Sequence, residues 1–218
     1  MSNNTNEQIF LEMLAASITK RHSLDNADLV SAYLDGEDDA YEVICERGDD
    51  CYDFCREHYE SAESDLVLAL LSYLAEQGTL LHPSDLVERN WNHYGLTVFE
   101  AGDGNEYAVG TDEECDSAVV ENVRQSLWAF SPYFLSHQTD LPEEVFTALS
   151  EQCEGANDAI EKLVEKCVEG GVEALAEEAA NCDGRGHFMS SYDGNEGEVC
   201  FKKDGEDFYD YFYIYRTN

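Results

Sequence analysis

A chain with forty-eight aspartates and glutamates against twelve lysines and arginines, a formal charge of −36, has few ways to fold. Nearly every carboxylate must face water or share one of a small number of cations. The accessible compact states are those in which amphipathic elements turn acidic faces outward. With 43% hydrophobic and 11% aromatic residues the chain still has the apolar surface for a core, so its charge does not mark a disordered acidic tail. The same imbalance excludes naked DNA or RNA as a partner, because phosphate binding draws on clustered Lys and Arg. An anionic membrane surface is excluded by sign. No apolar run approaches the length of a membrane span, and the polar start from Met1 to Asn6 is unlike a secretory signal, so the expected location is the cytoplasm. Eight cysteines, Cys45, Cys51, Cys55, Cys115, Cys153, Cys167, Cys182 and Cys200, are then expected as reduced and mostly buried thiols rather than a disulfide framework.

The pattern along the chain predicts an α+β protein: an acidic helical region over 1–90 followed by a module of helices and antiparallel strands over 91–218. Ile9, Phe10, Met13, Leu14 and Ile18 recur at helical spacing, as do Leu66, Leu70, Leu71 and Leu74, with Gly78 as the stop of the second helix. Between them, residues 25–65 hold fifteen acids and two arginines, a net of −13, interrupted by Tyr33, Tyr41, Ile44, Tyr52 and Phe54. Those apolar residues predict short helices with acidic outer faces. After Trp91 the grammar changes. Leu96–Glu100 and Glu106–Gly110 flank Gly102-Asp-Gly-Asn105, a hairpin signal. Thr111-x-x-Glu114 has the form of a capping box and opens a helix through Val119, Val123 and Leu127, which Pro132 is expected to end or kink. A helical stretch over 143–178 should break near Gly155 and Gly170-Gly171. Residues 140–183 carry thirteen acids and two lysines, a net of −11. From Ser190 onward strands are expected, with turns at Asp193-Gly194 and at Lys202–Gly205. Phe208–Arg216 alternates, with Phe208, Phe212 and Ile214 on a core face and Tyr209, Tyr211, Tyr213 and Tyr215 on the other.

Four motifs, Ser126-Leu-Trp-Ala-Phe130, Cys153-Glu-Gly-Ala-Asn-Asp158, Asp183-Gly-Arg-Gly-His-Phe188 with Ser191-Tyr-Asp-Gly194, and Phe212-Tyr-Ile-Tyr-Arg216, occur in this order over about residues 91–218. Together they resemble a family of small tailed-phage and prophage proteins. The resemblance implies a mobile-element origin and brings no activity or catalytic residue. The acidic region before residue 90 looks like an addition to that shared module.

Candidate chemistry is sparse. Cys51-x-x-x-Cys55-x-x-His58 approaches a metal cluster but lacks an evident fourth ligand, and cysteines four apart on a helix suit a core face. Asp103 to Glu114 echoes a calcium loop, yet Tyr107 and Ala108 stand where an oxygen ligand and a glycine are required. No metal and no cofactor is therefore expected. Asp183, Arg185 and His187 gather a carboxylate, a guanidinium and an imidazole among glycines, the one constellation that fits acid/base work. The plainer reading is a loop leading into a strand, with Arg185 tying down acidic helices. Trp91, Trp128, Phe130, Tyr133 and Phe134 read as core aromatics, with a binding pocket as the alternative.

The charge itself needs a reason. Solubility requires a net charge of only about 2 to 8. Adaptation to high salt is a second reason, and a protein-interaction module with a salt-adapted acidic surface, using the tyrosine face of the last strand, would follow from it. The third is imitation of nucleic acid. A compact chain of this length has a radius of gyration near ~17 Å and a diameter of about 44 Å. Duplex DNA of that length carries about 26 charges, the same order as this protein. The expected function is a phage-derived acidic inhibitor that fills the nucleic-acid site of a basic host DNA-handling or defence protein, with a small enzyme at Asp183, Arg185 and His187 as the alternative. The expected contact belt begins with Asp35, Glu37, Asp38, Asp39, Glu42 and Glu46. It continues through Asp49, Asp50, Asp53, Glu57, Glu60, Glu63 and Asp65, helped by the helical acids of Glu143 to Glu178. Nothing in the sequence sets an oligomeric state.

Overall fold

The computed structural model describes residues 64–77, 79, 81, 85–102, 104–202 and 209–218. The protein is α+β, with helices and one five-stranded antiparallel sheet. The described residues fall into two compact units that alternate along the chain. One takes in residues up to Trp91, Thr97–Thr111 and Gly197–Ile214; the other takes in Asn92–Leu96, Asp112–Glu196 and Tyr215–Asn218.

In the first unit, the helix α1 (Asp65–Glu76) packs on the sheet. Leu68, Ala69, Leu70, Leu71 and Leu74 are all buried, a wider apolar surface than a single stripe gives. The strands are β1 (Val87–His93), β2 (Leu96–Glu100), β3 (Glu106–Thr111), β4 (Gly197–Lys202) and β5 (Tyr209–Arg216), in the spatial order β1-β2-β3-β5-β4. The helical reading of the first ninety residues therefore ends too late, because Val87 to Asn90 already belong to an edge strand beside β2. The hairpin forms where it was expected. Gly104 takes φ +86° and the Ala101 amide donates to the Asn105 carbonyl at 2.8 Å, which closes the turn. Its register places Glu100 opposite Glu106, a like-charge pair that would repel. Arg89 on β1 pairs with both carboxylates and removes that conflict. At Gly197 the first residue of β4 passes directly beneath the Tyr73 ring of α1, an approach that leaves no room for a side chain.

The second unit is helical: α2 (Asp112–Ser126), α3 (Pro132–Thr139), α4 (Glu143–Ser150), α5 (Asn157–Cys167), α6 (Gly171–Asp183) and α7 (Arg185–Met189). Its core is built from Cys115, Ala118, Val119 and Val123 of α2, Leu127, Leu135, Phe146, Ile160, Val164 and the buried face of α6. Spacings of three and four along α2 give one apolar face, and Asp112, Glu113 and Glu114 sit in its first turn, where the helix dipole favours negative charge. The end of α2 is clipped by Asn157, which donates to the Arg124 carbonyl at 2.7 Å and accepts from the Trp128 amide at 3.2 Å.

Pro132 opens a helix instead of ending one. The chain leaves α2 through a short 3-10 turn, Leu127–Ala129, and Pro132 then occupies the first turn of α3 behind the N-cap Ser131, a position where its missing N–H is harmless. Residues 185–189 form a short helix where a loop into a strand was expected, and the strand begins only at Gly197. Tyr215 leaves the tyrosine face of β5 and is completely buried at 0% exposure, while Tyr209 and Tyr211 stay exposed and Phe212 and Ile214 enter the core as expected. The five aromatics read as core are not buried: Trp91 is 42% and Tyr133 68% exposed, and Trp128, Phe130 and Phe134 are half-buried. Of the five described cysteines, all free thiols, only Cys115 is buried, Cys200 is half-buried, and Cys153, Cys167 and Cys182 are exposed. The 6–20 helix, the short acidic helices of 25–63, Gly78, the Cys51–His58 cluster and the Lys203–Gly205 turn lie outside the described residues.

Candidate functional site

Two arginines organise the acidic groups of the helical unit. Arg185, at the start of α7, has only 15% of its side chain exposed and reaches three carboxylates. Its Nη1 bonds Asp112 at 2.7 Å and Asp116 at 3.0 Å, and its Nε bonds Glu196 at 3.0 Å. Burial alone would lower the Arg185 pKa, but the hydrogen bonds to Glu196 and Asp112 more than reverse that and fix the cation. Glu196 also accepts the Tyr215 hydroxyl proton at 2.6 Å, which satisfies the polar end of that buried ring. Arg124, in the last turn of α2, is likewise shared: it meets Glu161 at 2.6 Å and Glu165 at 3.7 Å on α5, and Glu173 at 3.3 Å on α6. One cation thus joins three helices.

The buried thiol of Cys115 belongs to the Arg185 region. Burial pushes it up to about 12, against smaller opposing effects of Tyr215 and Arg185, and burial likewise raises Tyr215 far above the ordinary phenol value. The folded state keeps a proton that an unfolded thiol gives up above about pH 8.5, so the stability from this site is full below that pH. It declines as pH rises toward the folded value of about 12. Urea unfolding should show stability falling through this alkaline range, with a shallower fall in Cys115→Ala, and Cys115 should be the last of the described thiols to react with a thiol reagent. A Cys115 that reacts as fast as Cys153 would contradict its placement.

The acids that the two arginines do not reach lie on the surface. Glu143, Glu144, Glu151, Glu154, Glu169, Glu177 and Glu178 are exposed and have no ion pair among the described residues. In all, this unit carries twenty carboxylates and five basic side chains, a net of −15. Asp112, Glu113, Asp116, Glu173 and Glu177 rim an open groove of about 810 Å³ between α2 and α6.

A second cleft, of about 530 Å³, has an aromatic wall. The Phe130 ring stacks on Phe134 with centroids 5.6 Å apart and on Phe188 at 6.2 Å, the latter pair within 11° of parallel. Phe134 is placed by the Ser131 cap, and Phe188 by its carbonyl, which accepts from Asn122 Nδ2 at 2.9 Å. Asp183 and His187 line this cleft, whereas Arg185 lines the acidic groove. The triad gathered in sequence is thus divided between two openings: Arg185 is held by its carboxylates, and His187 packs edge-on against Phe188 at 5.0 Å. Of the expected contact belt, Asp65 is the exposed first residue of α1, and the other twelve acids lie outside the described residues.

Among the described residues no three His, Cys, Asp or Glu side chains converge to hold a metal ion, and no helix is long and apolar enough to cross a membrane. No protein-family model, no curated protein and no solved structure matches this chain.

Proposed function

We propose that this chain is an acidic inhibitor of phage origin that fills the nucleic-acid groove of a basic host protein in the host cytoplasm, with carboxylates standing where phosphates would lie. One observation carries the reading. Arg124 and Arg185 are each shared among three carboxylates of the helical unit, so these two cations are committed to bracing it and offset only the acids they touch. The exposed acids of α4, α5 and α6 are left to set the surface potential. A dense anionic face attracts a cationic groove over long range and speeds encounter with it. The phage origin rests on the resemblance of the four motifs to tailed-phage proteins, and phage proteins have reason to act on host DNA-handling machinery. The unpaired acids sit on helical surfaces, where each contributes a little and none is indispensable.

Affinity capture from host lysate at low and at raised salt tests this. The retained protein should be basic, should be released by duplex DNA, and should lose affinity steeply as salt rises. Reversal of one charge, Glu151→Lys, should weaken binding by at most about fivefold, as expected for an exposed pair. Neutralising Glu143, Glu144, Glu151 and Glu154 together, each to Gln, should weaken it by about twentyfold, as small contributions of this size accumulate. A captured protein that duplex DNA cannot displace, or complete loss of binding from the single reversal at physiological salt, would defeat the proposal.

A further inference from the structure

The cleft walled by Phe130, Phe134 and Phe188 has a chemistry that the surrounding acid surface does not explain. Three half-buried phenyl rings form one continuous wall on a unit of net charge −15. Stacked rings left half-open to solvent in so polar a setting offer a face on which a ligand can stack. The polar groups beside it are biased as well. Asn122 Nδ2 is committed to the Phe188 carbonyl and Ser126 Oγ donates to the Asn122 carbonyl at 2.8 Å. The acceptors among the residues that line the cleft are the Asp183 carboxylate and Asn122 Oδ1, the latter also accepting from Ser126 Oγ at 3.4 Å. A phosphorylated nucleotide or a carboxylate ligand would be repelled by the charge, and a neutral apolar group would leave the acceptors unmatched. A planar, weakly hydrated cation with several N–H donors satisfies the wall and the acceptors together: it stacks on the rings and bonds the carboxylate.

We infer that this cleft receives the guanidinium of an arginine side chain on the partner protein. The inference rests on the reading above, because a groove that grips nucleic acid presents arginines. The exposed acids supply attraction over distance, and the aromatic cleft supplies a short-range anchor that salt screens less than it screens the surface charges.

The test is titration of the full chain with N-acetyl-arginine amide, followed through the phenylalanine ring resonances, with N-acetyl-citrulline amide as the uncharged isostere. Arginine amide should shift the rings of Phe130, Phe134 and Phe188 saturably and bind roughly tenfold tighter than citrulline amide. Phe130→Leu should abolish the response, and Asp183→Asn should weaken it severalfold. Both positions are at the surface, and circular dichroism establishes that each variant is folded. Equal binding of the two amides, shifts confined to the acidic helices, or an unchanged response in both variants would overturn the inference. If arginine amide does not enter the cleft while duplex DNA still displaces the captured partner, the anchor falls and the charge-based reading stands. If it enters the cleft while DNA fails to displace the partner, the guanidinium site stands and the charge-based reading falls.

Discussion

Arg185→Met is expected to destabilise the protein by about 3 kcal/mol at neutral pH and to lower Tm by on the order of 10 °C. The side chain removed is the shared partner of Asp112, Asp116 and Glu196, and methionine keeps much of its volume while leaving three carboxylates close together without a cation. Asp112 and Asp116 are about two-thirds exposed and can turn into water, which holds the loss near the lower end of the range for a broken buried pair. Glu196 cannot turn away so freely, because it also holds the buried Tyr215 hydroxyl. Arg185→Lys should recover less than half of the loss, since an ammonium supplies the charge but not the fork that meets Asp112 and Glu196 at once. Lys162→Met and Lys166→Met remove the same formal charge at exposed positions of α5 and should change stability by less than about 0.5 kcal/mol. Thermal melts of the four variants decide the matter; an Arg185→Met protein that melts with the lysine variants would show that the arginine is not a brace.

Gly186→Ala should cost about as much, roughly 3 kcal/mol, for a steric reason. A methyl group there would press on the Gly194 carbonyl oxygen and lie 2.8 Å from the Asn195 carbonyl carbon and 2.9 Å from the Glu196 amide nitrogen. All three are backbone atoms, so no side-chain rotation relieves the contact. Gly155→Ala is the matched control, because nothing lies within 4 Å of a methyl group there. That substitution should be neutral or slightly stabilising. Equal urea midpoints for the two alanine variants would refute the close packing of α7 on the 194–196 segment. The same packing sets Glu196 opposite Arg185, so the double variant Arg185→Met, Gly186→Ala should lose less than the sum of the single losses.

The parts of this fold legible in the sequence are those fixed by neighbouring residues. Gly102 to Asn105 marks the hairpin because a tight turn needs a glycine at positive φ, and the spacing of Val119, Val123 and Leu127 marks α2 because one face of a helix must be apolar. Gly155 and Gly170-Gly171 likewise mark the breaks among α4, α5 and α6. The errors arise where partners distant in sequence decide. Tyr215 sits in an alternation that assigns it outward, yet Glu196 supplies the acceptor that lets its hydroxyl be buried. Phe130 and Phe134 are four apart and share a face, the signal of a core stripe, but Leu127 and Leu135 fill the core beside them and leave the rings at the cleft. The role of Arg185 as a tie for acidic helices could be argued from the rarity of cations. Its separation from Asp183 and His187 could not, because a helix of only five residues turns neighbouring side chains in different directions. Arg124 carries no local signal of its role: its carboxylates lie 37 to 49 positions away, and no local pattern joins them.

The strand order has a consequence for how the chain is made. β3 lies between β2 and β5, and β5 begins 98 positions after β3 ends. At translation speeds of about 5 to 20 residues per second, the outer edge of β3 waits about 5 to 20 s on the ribosome before its neighbour emerges. Throughout that interval the nascent hairpin presents an open row of amides and carbonyls, and its safety from mispairing rests on the mutual repulsion of like-charged chains.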